Sequence, residues 1–217
     1  VGREAELARV RSHAQRAQRK VGSALLVQGV SGAGRSRFLD AAVLAGKLLG
    51  LTVLRADADV SSGTDYAAVR SLIVQLMAAA PEHTRALAER DLPALSQVVP
   101  ELAPGSSATL EQPDDPSVLR QQLQHAARRL LLSAAQQQPL MLALDDLDRF
   151  DEPSLAALAL LCRELRSAGI QIVATSQSDD AQVISSAYRM FKESSSHLPL
   201  KPFGAEETRA LLSSIFG

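Results

Sequence analysis

The chain has 217 residues, 46% of them hydrophobic and 22% charged, with a formal net charge of -1. That length suits one large α/β domain or two small ones. The even charge argues against direct nucleic-acid binding, which usually goes with a basic excess. No apolar run approaches the ~18 residues needed to span a bilayer, and no signal peptide is present, so no membrane partner is expected. The single cysteine, Cys162, rules out an intrachain disulfide and fits a reducing, cytoplasmic setting. There is no initiator Met and the sequence stops just after a helical segment, so a segment of a longer multidomain protein is expected.

In chain order, a helix is predicted over 4–20, with Arg9, Arg11, Arg16, Arg19 and Lys20 forming a solvated face. A short apolar strand follows at 24–28. Helix 36–49 places Phe38, Ala42, Ala45 and Leu49 on one stripe and stops at Gly50. Strand 51–55 and helix 66–79 come next, the latter with Val69, Leu72, Ile73, Leu76 and Met77 on one face. The Pro-, Ser- and Asp-rich stretch 93–116 reads as a loop or linker. Helix 117–135, strand 140–144, helix 154–167 with Asp151 as N-cap, strand 170–175, strand 197–200 and helix 205–216 complete the pass. The last helix is predicted to turn Leu211, Leu212 and Ile215 inward. Strands without strict alternation, separated by helices, imply a parallel sheet buried on both faces.

Residues 29–36 read Gly29-Val30-Ser31-Gly32-Ala33-Gly34-Arg35-Ser36. Between a strand and a helix, this fits the phosphate-loop pattern G-x-x-x-x-G-K-[ST] at every position but one. Gly29 and Gly34 are read as supplying backbone angles that side chains forbid. Successive N–H groups then converge on phosphate oxygens at the positive end of the next helix. Ser36 offers a hydroxyl to Mg²⁺. The departure is Arg35 in place of Lys: planar, forked and bulkier, it is not a conservative exchange at a phosphate.

Residues 140–146 read Leu140-Met141-Leu142-Ala143-Leu144-Asp145-Asp146, an apolar strand ending in two carboxylates. This is the Walker B arrangement. Asp145 is the expected Mg²⁺ ligand and Asp146 the group that orients the attacking water. Adjacent carboxylates raise one another's pKa unless a cation is near, so the pair is costly as mere structure. Thr175 and Ser176, ending another strand, are read as polar sensors beside the site. His13, His83, His125 and His197 lack metal-ligand spacing, and Cys162 lies on an apolar helical stripe, as a core residue does.

The opening Val1-Gly2-Arg3-Glu4-Ala5-Glu6-Leu7, the phosphate loop, the run from Pro139 through Asp145-Asp146 to Leu155, the Val173–Ser176 strand and the closing Leu198-Pro199-Leu200-Lys201-Pro202-Phe203 together resemble STAND-type ATPases of the AAA+ group. The resemblance runs from Val1 to Gly217 and is strongest to ATPase modules of large bacterial LuxR-type regulators and of kinase- or cyclase-fused proteins. It implies a P-loop NTPase three-layer αβα sandwich, with a five-stranded parallel sheet of order 5-1-4-3-2 and a helical insert over 61–135 between Walker A and Walker B. It also implies ATP or ADP with Mg²⁺, the nucleotide held by Val1, Gly2 and Arg3 near the adenine and by the loop from Gly29 to Arg37. Asp146 and Thr175 are the implied catalytic pair, and Ser36 and Asp145 the implied metal ligands. Relatives usually carry an Arg where Gln177 stands, so two cationic contacts to the terminal phosphate are altered. A nucleotide-dependent regulatory switch with slow or no hydrolysis follows, with flanking domains and further copies of itself as the implied partners. A scaffold that no longer binds nucleotide is the competing reading.

Overall fold

The computed structural model describes residues 2–58, 64–103, 115–177 and 185–216. Helix α1 (Glu4–Gln18) leads into strand β1 (Ser23–Gly29), α2 (Arg35–Leu48) and β2 (Thr52–Asp57). Helices α3 (Ala67–Ala79), α4 (Pro81–Ala88), α5 (Leu92–Leu95) and α6 (Pro116–Gln137) separate β2 from β3 (Leu140–Asp145). Then come α7 (Glu152–Cys162), β4 (Ile170–Gln177), α8 (Ser186–Ser194), β5 (Ser196–Pro199) and α9 (Ala205–Phe216). Among the described residues five strands form one sheet of order β2-β3-β4-β1-β5, every pairing parallel. This is the 5-1-4-3-2 order implied by the resemblance. Among the described residues no helix is long and apolar enough to cross a membrane.

The strands lack alternation because both faces are covered, yet their residues divide by parity. Ala24, Leu26, Leu140, Leu142, Leu144, Ile170, Ile172 and Ala174 point to a large core roofed by α3, α6, α7 and α8. Leu25, Val27, Met141, Ala143 and Val173 point to a smaller core under α1 and α2. Helix α2 stops as predicted: Leu51 N–H donates to Gly46 O (3.0 Å) and Gly50 N–H to Lys47 O (2.9 Å), the paired closure of a Schellman motif. Asp151 caps α7 through Ser154 N–H (2.8 Å) and also accepts from Tyr66 N–H (2.8 Å), tying the start of α3 to the start of α7.

Several expectations change. The stretch 93–116 is not wholly loop: α5 and a short 3₁₀ turn at Pro100–Leu102 bury Leu95, Val99 and Leu102, and 104–114 lies outside the described residues. The Pro and Ser content hid a hydrophobic spacing that tertiary packing uses. Helix 154–167 ends at Cys162 and resumes as a 3₁₀ turn at Leu165–Ser167. Lys20 leaves the solvated face of α1, and its Nζ caps α6 at Ala135 O (2.7 Å) and Gln136 O (2.8 Å). Leu212 is 49% exposed, not inward, and the side chains of Leu211 and Ile215 lie outside the described residues.

Candidate functional site

The carboxyl ends of β1, β3 and β4 meet where β1 turns into α2. Gly32 and Gly34 both have positive φ (79° and 82°), and Gly34 is the residue that starts α2. A Cβ built on either meets nothing within 4 Å, so the loop faces open space. Gly29 plays a different part from the predicted one. Its φ is not positive; a Cβ there would lie 2.8 Å from Leu200 O, so Gly29 is needed for close approach of β1 to the β5 exit. Ala33 is buried and its N–H donates to Val30 O (3.1 Å), while Val30, Ser31, Ser36 and Arg37 are exposed.

Asp145, Asp146 and Thr175 form one hydrogen-bonded unit. Thr175 Oγ1 donates to Asp145 Oδ1 (2.5 Å) and accepts from Asp146 N–H (2.9 Å). Thr175 therefore fixes the turn after β3, and Asp146 adopts a left-handed backbone (φ 51°), a conformation tolerated by Asp and common at functional turns. Arg35 Nη2 pairs with Asp146 Oδ1 at 3.1 Å, so the phosphate loop and the Walker B end are in contact. Arg35 Nη1 is buried without a partner among the described residues. Burial raises the Asp146 carboxyl above its ordinary range; Arg35 opposes this, while Asp145 and Asp148 add to it.

Sequence reasoning missed Arg55. From β2 its guanidinium reaches Asp40 of α2 (2.5 Å), Asp57 (3.0 Å) and Asp145 Oδ2 (3.3 Å). The available signal was an Arg inside an apolar parallel strand, which burial tolerates only when the charge is paired. Also missed was Tyr188 on α8, whose hydroxyl lies 2.6 Å from Ser176 Oγ and 3.4 Å from Gln28 Nε2. Ser185, Ala187, Tyr188 and Phe191 carry the cap and spacing that announce this helix. Asp148 accepts from Gln177 N–H (3.1 Å) and so fixes the end of β4.

Arg3 lies against the phosphate loop, and Val1 is outside the described residues. Arg3 donates to Ala33 O (3.3 Å) and Lys201 O (2.5 Å), pairs with Glu6 (3.3 Å) and stacks on Phe203 at 4.4 Å. A Cβ built on Gly2, whose φ is 77°, would lie 3.5 Å from the same ring. Arg3 thus braces the opening segment, the phosphate loop and the β5 exit together. Cys162 is buried, and burial pushes its thiol up, away from nucleophilic use.

A family model described as AAA ATPase domain matches residues 1–173. Among solved structures the chain is similar to the ORC1 protein of Aeropyrum pernix in complex with DNA: 17% identity, TM-score 0.55, covering 98% of this chain and 48% of that one. It is similar to a DNA replication initiation factor at 13% identity and TM-score 0.55, covering 99% and 50%. It is similar to Drosophila ORC bound to DNA at 20% identity and TM-score 0.52, covering 99% and 47%. At these identities the likeness establishes the fold, and the chain spans about half the length of those proteins. No curated protein matches the sequence.

Proposed function

This chain belongs to the AAA ATPase domain family, and from that premise we propose that it binds ATP or ADP with Mg²⁺ at the β1–α2 junction. It acts as a nucleotide-dependent switch with slow or no hydrolysis, in a STAND-type bacterial signalling or transcription-control protein. The observation that carries the reading is the 3.1 Å contact between Arg35 and Asp146, which joins the two motif segments at one point.

The residues fit the group. The space before Gly32 and Gly34 leaves backbone N–H groups open to phosphate oxygens at the start of α2. An exposed Ser36 hydroxyl and the Asp145 carboxylate supply the hard oxygen donors that Mg²⁺ takes alongside phosphate and water. Bound Mg²⁺ would neutralise charge on the terminal phosphates. Thr175 keeps Asp145 oriented by taking one of its oxygens.

Slow hydrolysis follows from what Arg35 and Asp146 do to each other. A water-activating carboxylate must be free to accept a proton, and Asp146 is held by a guanidinium. A phosphate-loop cation must reach the terminal phosphate, and Arg35 is turned to Asp146. Each removes the other from the transition state, where such contacts are worth several kcal/mol. The same pairing favours the scaffold reading, in which nucleotide no longer binds.

Flanking domains of the same protein and further copies of the chain are the proposed partners. Nucleic acid is not among them for this domain, on its formal net charge of -1; the Aeropyrum and Drosophila proteins were solved bound to DNA. Thermal melting with millimolar Mg-ADP and Mg-ATP separates switch from scaffold. A ligand at 100 times its Kd adds about 2.7 kcal/mol and raises the midpoint; an unmoved midpoint establishes the scaffold.

A further inference from the structure

The Arg55 cluster has an asymmetry that simple surface pairing does not explain. Three nitrogens of one guanidinium meet three different carboxylates: Nη1 with Asp40, Nε with Asp57 and Nη2 with Asp145. The side chains of Asp40 and Asp57 are 53% and 41% exposed, whereas that of Asp145 is 11% exposed. Solvent reaches the first two. The third is a buried carboxylate whose other oxygen is taken by Thr175, and a buried charge of that kind needs a cation. Three carboxylates share one guanidinium, so the group stays net anionic. Asp40 also lies one helical turn beyond Ser36 on the same face of α2. Arg55 therefore bridges the helix that carries one proposed metal ligand and the strand that carries the other.

We propose that Arg55 is a positioning residue, a built-in counter-cation that neutralises Asp145 in the metal-free protein and releases it to Mg²⁺ by withdrawing onto Asp40 and Asp57. This rests on the reading that Mg-nucleotide binds at this junction. The Arg55 side chain is 34% exposed and retains two solvated partners after release, so the exchange strands no charge. Arg55 then sets how strongly magnesium and nucleotide binding are coupled. In the wild type the metal must displace an ion pair; without the guanidinium it meets an uncompensated anionic site.

The test is calorimetric titration of ADP into the protein in EDTA and in millimolar Mg²⁺, the coupling being the ratio of the two affinities. Arg55→Gln is expected to raise that ratio about tenfold, within the usual range of coupling between sites. Asp40→Asn removes a landing partner and is expected to lower it, so the two variants move in opposite directions. A general loss of fold does not give opposite signs, and melting curves in EDTA check folding directly. An unchanged ratio in Arg55→Gln, or the same sign in both variants, overturns the proposal while ADP binding itself leaves the site reading standing. If the wild type binds no ADP in either buffer, both fall. Should Arg55→Gln not fold, Asp40→Asn decides alone: a lower ratio supports the proposal, and an unchanged or higher one overturns it.

Discussion

The two faces of the sheet differ in what they bury. On the face covered by α3, α6, α7 and α8, strand residues stay apolar as far as Leu144 and Ala174, and polar groups begin only at Gln28 and Ser176, which meet Tyr188. On the face covered by α1 and α2, polar groups start earlier: Arg55, Asp57, Asp145 and Thr175 follow Val53, Ala143 and Val173 in parity. The larger core on the first face supplies cohesion that the second does not need to match. Charged groups can then crowd one end of the second face, under α2, beside the phosphate loop. A buried ion cluster is weak evidence for stability, so its placement on the thinner face suits a site rather than a staple.

The sharpest way to break this comparison is to truncate the larger core. Leu142 is fully buried there. Leu142→Ala is expected to lower unfolding free energy by about 2–5 kcal/mol, measured by denaturant titration. ADP affinity of the folded fraction should remain near wild type. An affinity loss larger than the unfolded fraction explains would show that the two faces are not separable.

Arg35→Lys probes the other face with a smaller effect. Lysine replaces the fork with a single ammonium, leaves no buried Nη1 without a partner, and suits a point contact to phosphate. ATP binding by calorimetry is expected to tighten about tenfold, or ~1.4 kcal/mol, with the denaturation midpoint little moved. Unchanged or weaker affinity would mean that the Arg35–Asp146 pair does not hold the cation away from nucleotide.

What the sequence disclosed follows the same division. The phosphate loop and the apolar run ending in Asp145 and Asp146 were legible because their function demands fixed residue types at fixed spacing along one segment. Sheet order came from resemblance; periodicity could not supply it, because strands buried on both faces look alike from either side. Arg55 was not read as part of the site, since two of its three partners lie 15 and 90 positions away, brought to it by the packing of α2 and by the pairing of β2 with β3. The role of Gly29 was misassigned for a related reason: a close approach to Leu200 O depends on a strand much later in the chain. Leu95, Val99 and Leu102 were hidden among prolines and serines, whose turn propensity outweighed a spacing visible only once α6 provided a surface.

The smallest expected effect tests whether the thinner face responds to pH. His13 lies on α1 beside Ala14, with Nδ1 2.7 Å from Ser23 Oγ. Burial first, and then the charges of Arg16 and Arg9, hold its imidazole below the ordinary value of about 6.5. In the fold the ring therefore prefers to be neutral. As pH falls from 7.5, the unfolded chain takes up this proton first, so the His13 contribution is present above 6.5 and is lost between 6.5 and the lower folded value. Partial exposure screens the interaction and keeps the effect modest. The useful quantity is the difference between two proteins, which isolates this one histidine. Denaturant titrations at pH 7.5 and 5.5 should show wild type losing more stability on acidification than His13→Gln. Equal losses would mean that α1 holds its histidine no differently from the unfolded chain.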